Sequence, residues 1–239
     1  MPNRQAAARL DARTAEPDFI SGTDIPAAPA FIDALAQAAA APSLKKGERT
    51  RRRVLWATAI ELARTSFADL NMDQIAQTAA VSRAALYQYV GSKEDAVRAV
   101  LSDFNARTLN ISVATDRSAG VLDAIRRTNR YYIDYFAKNA VFMERVRELR
   151  AVMPEMIAEK QRVNREWAAR VIAHVQRVNP TALPAETLKL RVFALECMID
   201  DVLRELFVIE NPDIQACAPN LDALAEELSL IWHKVLYQP

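Results

Sequence analysis

Apolar side chains recur three and four positions apart along nearly all of residues 45–237, and no segment alternates apolar with polar residues. The three-and-four period puts the apolar groups on one side of a helix, whereas a half-buried strand needs a period of two. The chain is therefore expected to be all-α. Composition agrees: only four of 239 residues are glycine, and leucine, alanine, arginine and glutamate, which lose little freedom in a helix, are abundant. The apolar share, 51%, is enough for a sizeable core.

Charge divides the chain. The net charge is +1, yet residues 45–98 hold ten Lys/Arg against six Asp/Glu. A local basic segment on a near-neutral chain fits a nucleic-acid-binding module joined to something else, although a solvated charged face would look the same. Residues 1–44, rich in alanine and proline with no sustained period, are expected to be a largely disordered tail, within which Phe31 to Ala41 can form a short helix before Pro42. The expected divisions are this tail, a basic module over 45–98, and a further helical region over 99–239. Cys197 and Cys217 make neither a disulfide framework nor a zinc spacing. With no run of 18 apolar residues and no N-terminal apolar core for a secretory signal, no membrane contact is expected and the cytoplasm is the expected location.

Residues 72–89 follow the logic of a helix-turn-helix. A short helix packs through Ile75 and Ala76, a tight turn follows at Ala80, and Ser82 can cap a second helix from Arg83 to Tyr89 by accepting from its first-turn N–H groups. Ser92 is placed to cap the next helix, expected over 93–114, with Glu94 and Asp95 where the helix dipole favours acids. The second helix keeps Leu86 inward and presents Arg83, Ala85, Tyr87, Gln88 and Tyr89. In a major groove, Arg83 can pair with guanine and Gln88 with adenine, while Tyr87, Tyr89 and Lys93 can contact phosphates. The basic run containing Arg49, Arg51 and Arg52 adds electrostatic attraction.

The segment Ile75-Ala76-Gln77-Thr78-Ala79-Ala80-Val81-Ser82-Arg83-Ala84-Ala85-Leu86-Tyr87-Gln88-Tyr89-Val90-Gly91-Ser92-Lys93-Glu94 resembles the TetR-family signature, roughly I-A-x-x-A-G-V-S-x-x-x-L-Y-x-Y/H-F-x-S-K-E. The matches fall on Ile75, Ala76, Ala79, Val81, Ser82, Leu86, Tyr87, Tyr89, Ser92, Lys93 and Glu94. Ala80 and Ser66 stand where the family usually has glycine, Val90 where it has phenylalanine, and Glu61 where an apolar residue is expected. The resemblance covers about residues 50–100. It implies a three-helix DNA-binding domain, a larger helical domain, a homodimer on an inverted-repeat operator of double-stranded DNA, and repression relieved by a small molecule.

The remaining helices are expected at about 121–138, then to Val152 after a break at Asn139, then to Val178, 184–209 and 220–237. The last two carry apolar stripes, Leu195, Ile199, Val202, Leu206 and Phe207 on one, and Leu224, Leu228, Ile231 and Trp232 on the other. They offer either a four-helix dimer interface or an ordinary internal core. For a largely apolar effector the candidates are Tyr132, Tyr135, Phe136, Phe142, Asn164, Trp167, Phe193 and Cys197, with Asn129 and Asn164 as polar anchors. Such a stripe serves equally as plain core. No phosphate loop, metal-ligand spacing or nucleophile elbow occurs, so neither an enzyme, a metal nor a cofactor is expected. Asp200 and Asp201 are adjacent and point different ways. The reading from another class is a helical ligand-binding or scaffolding protein without sequence-specific DNA binding, for which Asp69 and Asp73 near the presumed DNA face speak.

Overall fold

The computed structural model describes residues 28–109, 120–149, 152–179, 183–218 and 220–237, and these are helical with short connections. The helices are α1 (Phe31–Ala40), α2 (Lys46–Arg64), α3 (Met72–Thr78), α4 (Arg83–Tyr89), α5 (Lys93–Leu109), α6 (Val121–Glu148), α7 (Glu155–Val178), α8 (Ala185–Arg204), α9 (Pro212–Cys217) and α10 (Leu221–Tyr237). Residues 1–27 of the expected tail and the far end of the helix expected to reach 114 lie outside the described residues.

Helix starts follow side-chain chemistry. Asn71, Ser82, Ser92, Asn211 and Asn220 each accept from a backbone N–H two or three residues on, at 2.8–3.2 Å. Each satisfies one of the N–H groups that a helix start leaves without an internal partner. The expected break at Asn139 is real: its φ of −123° and ψ of 17° interrupt α6. The helix expected over 184–209 changes character near its end, where Glu205–Ile209 widen into a π-helical turn that closes at Glu210 with φ 57°. Beyond it lies the short helix α9, which ends at Cys217. Asn211 caps it and Pro212 occupies its first turn, a position where the missing N–H costs nothing.

Residues 28–44 correct the expected tail. Phe31, Leu35 and Ala39 of α1 are all buried, spaced four apart on one stripe. The Phe31 ring meets Phe104 and Phe142 edge-on at 5.1 and 5.0 Å, a favoured aromatic arrangement. Asn139 accepts from the Phe31 N–H at 2.6 Å and donates to Pro29 O and Tyr135 O. Asp134 accepts from the Ala28 N–H, and Lys138 donates to Ala28 O. The kink in α6 is thus where α1 is fastened down.

Three clusters of buried side chains make the core. The first joins α1 to α2, α3, α4 and α5 and runs on into Tyr135, Phe142 and Val146 of α6. The second sets Ile133 and Phe136 of α6 against Ile199, Leu203, Leu206, Leu224 and Leu228. The third joins α7, α8 and α10 through Val175, Leu188, Val192, Leu195, Trp232 and Leu236. Among the described residues, no helix is long and apolar enough to cross a membrane.

Phe31→Ala is expected to cost about 3–5 kcal/mol, the usual range for deleting a buried aromatic ring, read as a lower denaturant midpoint. Asp33→Ala, on the exposed side of the same helix, is expected to change stability by less than about 0.5 kcal/mol.

Candidate nucleic-acid interface and effector cavity

The turn between α3 and α4 is held by two backbone hydrogen bonds. Val81 N–H reaches Ala76 O and Ala80 N–H reaches Gln77 O, both at 3.0 Å. This pair is the Schellman closure of a helix, which places the residue after the cap in the left-handed region. That residue is Ala80, with φ 49°, where glycine would sit without a steric penalty. Arg53 of α2 donates to Ala80 O at 3.2 Å and so ties the turn to the helix beneath it. Glu61 is buried because it is satisfied: the Thr78 hydroxyl donates to it at 2.6 Å and Arg64 at 3.2 Å. The apolar position expected there is filled by a hydrogen-bonded clamp between α2 and α3.

Helix α4 buries Leu86 completely and leaves Arg83, Ala84, Tyr87 and Gln88 exposed. Tyr87 is 42% exposed, unusual for so large an aromatic unless its face has a partner elsewhere. Arg83 pairs with Asp73 at 3.0 Å and lies over the Tyr87 ring at 6.0 Å, so its guanidinium is held outward beside the tyrosine. Ser82 is exposed, whereas Ala85 and Tyr89 are half-buried. Arg49 and Arg51 are exposed near the start of α2, Arg49 donating to Leu44 O.

Two of the expected phosphate-contacting cations have other employment. Lys93 donates to Phe67 O and Ala68 O at 3.0 and 3.3 Å and stands over the Phe67 ring, which anchors the start of α5 to the α2–α3 loop. Arg52 pairs with Glu48 and donates to Ala38 O, joining α2 to α1. Sequence assigned both by charge, and charge does not reveal which carbonyls lie within reach.

A cavity of about 110 Å³ opens among α5, α6, α7, α8 and α10. Tyr132, Asn164 and Trp167 line it as expected, and so does Asn129. Tyr135, Phe136 and Phe142 are instead buried in the core clusters. Phe193 packs on the third cluster, and Cys197 is exposed on the outer side of α8. The wall also holds Asn105, Lys160, Glu196, Asp200 and Trp232, which the apolar pattern gave no reason to select. The lining is apolar over most of its area, with these polar groups set into it. The Tyr132 hydroxyl donates to Asp200 at 2.5 Å, Lys160 pairs with the same carboxylate at 3.3 Å, and Asn129 donates to Ser229. Glu196 stands one turn before Asp200, and its carboxyl pKa is pushed up to about 8, by burial first and the neighbouring Asp200 second, with Lys160 opposing. Asp201 points away and pairs with Arg147.

The apolar stripes of α8 and α10 turn inward: Leu195, Ile199, Leu206, Leu224, Leu228 and Trp232 are all buried within the one chain. Val202 and Phe207 are half-buried against the second cluster. What these helices leave outside is Leu190, 70% exposed, and Ile231.

Residues 54–100 match the family described as bacterial regulatory proteins, tetR family. Among solved structures, the chain resembles a tetR-family transcriptional regulator from Streptomyces coelicolor, with TM-score 0.62 and 17% identity over 79% of this chain and 80% of that one. A TetR-like transcriptional regulator from Rhodococcus sp. RHA1 gives 0.61 and 18% over 80% and 98%. The fatty acid degradation regulator FadR from Bacillus halodurans gives 0.58 and 16% over 79% and 95%. Among curated proteins none matches. At such identities the structural likeness speaks for the fold.

Two outcomes are expected from this geometry. Ala80→Gly relieves the left-handed alanine and is expected to raise stability by about 1 kcal/mol, read as a higher urea midpoint at unchanged slope. Glu196 holds its proton more tightly folded than unfolded, so stability is expected to fall as pH rises from the ordinary glutamate value to about 8. Glu196→Gln is expected to remove that part of the fall; equal pH slopes for both proteins would contradict the assignment.

Proposed function

We propose that this chain, whose residues 54–100 match the tetR family of bacterial regulatory proteins, is a regulator that reads an inverted-repeat DNA operator as a homodimer and is released from it by a small molecule. The observation that carries the reading is α4. Its one fully buried side chain, Leu86, faces the core while Arg83, Tyr87 and Gln88 face solvent, on a helix of the size that enters a major groove. The exposed Arg49 and Arg51 supply attraction to the phosphate backbone.

Dimerisation is assigned to the outer faces of α8 and α10, where Leu190 and Ile231 are exposed. The effector is assigned to the cavity among α5, α6, α7, α8 and α10. Helix α5 gives that cavity a route to the reading head. Lys93 at its start is fastened to the α2–α3 loop, and Phe104 and Asn105 near its end line the cavity. The twelve helical steps from Lys93 to Asn105 span about 18 Å at the helical rise of roughly 1.5 Å per residue. An occupant that shifts α5 would therefore shift the head.

Selection from a random DNA library at about 0.15 M salt, where non-specific phosphate binding is weakened, is expected to enrich an inverted repeat. Its half-sites should lie about 34–36 Å apart or a multiple of that. Failure of the folded protein to enrich any sequence would favour a helical binding or scaffolding protein. The pair Leu190→Glu and Ile231→Glu is expected to halve the mass seen by light scattering while leaving helical circular dichroism unchanged.

A further inference from the structure

Two donors in the cavity wall have no acceptor among the described residues: Asn105 Nδ2 on α5 and Trp232 Nε1 on α10. Both residues are only 5% exposed. Buried donors in folded proteins are almost always hydrogen-bonded, and an indole N–H or amide NH₂ group can only donate. The missing partner is an acceptor, and the cavity that both residues line is where a small shift of either side chain would find one.

Several of the other polar groups of the wall are occupied. Asp200 takes the Tyr132 hydroxyl and the Lys160 ammonium, and Asn129 donates to Ser229. Lys160 is thus already neutralised by its pairing with Asp200 and is a poor counter-ion for an anion. Glu196 adds a second carboxyl one turn away. A carboxylate entering here would meet the Asp200 carboxylate and one committed lysine. The remaining wall is apolar, including Phe104, Met143, Val163 and Ile199, with the Trp167 and Trp232 rings edge-to-face at 5.5 Å. The volume, about 110 Å³, is somewhat below the ~150 Å³ of an engineered apolar cavity that admits benzene.

Resting on the reading of this cavity as the effector site, we propose that it selects an uncharged, ring-sized group carrying a carbonyl or hydroxyl oxygen, which accepts from Asn105 and Trp232, and that it discriminates against carboxylates.

A matched series of toluene, benzamide, benzoate and benzylamine tests this on the full chain near neutral pH. Concentrations up to about 10 mM suit the weak binding expected of so few atoms. Binding is read from tryptophan fluorescence and from the rise in melting temperature. Benzamide is expected to bind about tenfold tighter than toluene, as one or two recovered hydrogen bonds allow, and benzoate more weakly than toluene. Trp232→Phe and Asn105→Leu are each expected to reduce the ratio of benzamide to toluene affinity, and a retained cooperative melting transition reports that each variant still folds. Benzoate equal to benzamide, benzylamine ahead of both, or a benzamide advantage that survives both substitutions would each overturn the proposal. Toluene bound with no gain for benzamide would overturn it while leaving an apolar effector cavity in place. Binding of none of the four would overturn the effector-cavity reading itself.

Discussion

One amide side chain holds the two ends of this fold together. Asn139 interrupts α6, and its side chain accepts from Phe31 N–H and donates to Pro29 O. Around that fastening lie the rings of Phe31, Phe104, Tyr135 and Phe142. Hydrogen bonds in such a buried setting are costly to leave unmade, so the break in α6 and the docking of α1 support one another. Helix α1 in turn meets α2 through the first core cluster and through Arg52 on Ala38 O. The helix that precedes the reading head is therefore its brace against the body.

Phe104 belongs to that aromatic joint and also to the cavity wall. Its neighbour Asn105 carries one of the two unpartnered donors. The same stretch of α5 thus touches the brace, the cavity and, through Lys93, the loop that supports the helix-turn-helix. Packed cores shift between discrete arrangements rather than deforming smoothly, and a shared helix between two sites is the kind of element whose position both can bias. The proposed release of DNA by an effector rests on this arrangement.

Much of the fold was legible in the sequence because local chemistry decides it. Ser82, Ser92 and Asn220 cap as their residue types dictate, and Asn139 breaks a helix where an amide competes with the backbone. The helix-turn-helix stood out because Leu86 and Ile75 must face inward once the turn is placed. Helix α1 was legible as a short helix, but its docking was hidden because Phe31, Leu35 and Ala39 make a short stripe among alanines, and only the partners on α5 and α6 show that it is filled. Ala80 was ambiguous because alanine does not announce a positive φ as glycine does. The cavity was half legible. Tyr132, Asn164 and Trp167 followed from their types, but Tyr135, Phe136 and Phe142 went to the core. Glu196 and Lys160 gave no signal, since helical spacing reports which face a residue occupies and not whether a void lies beyond it. The stripes of α8 and α10 likewise fit an interface or a core equally well until their partners were seen.

The most direct test of the account is a titration of the duplex enriched by selection with the wild type and with the double variant Tyr87→Ala, Gln88→Ala at about 0.15 M salt. Both side chains are exposed on α4 and neither belongs to a core cluster, so helical content and mass are expected to match the wild type. The account predicts a Kd raised by at least about tenfold, as loss of one base-edge pair and one phosphate contact requires. Unchanged affinity in the double variant would contradict α4 as the reading helix.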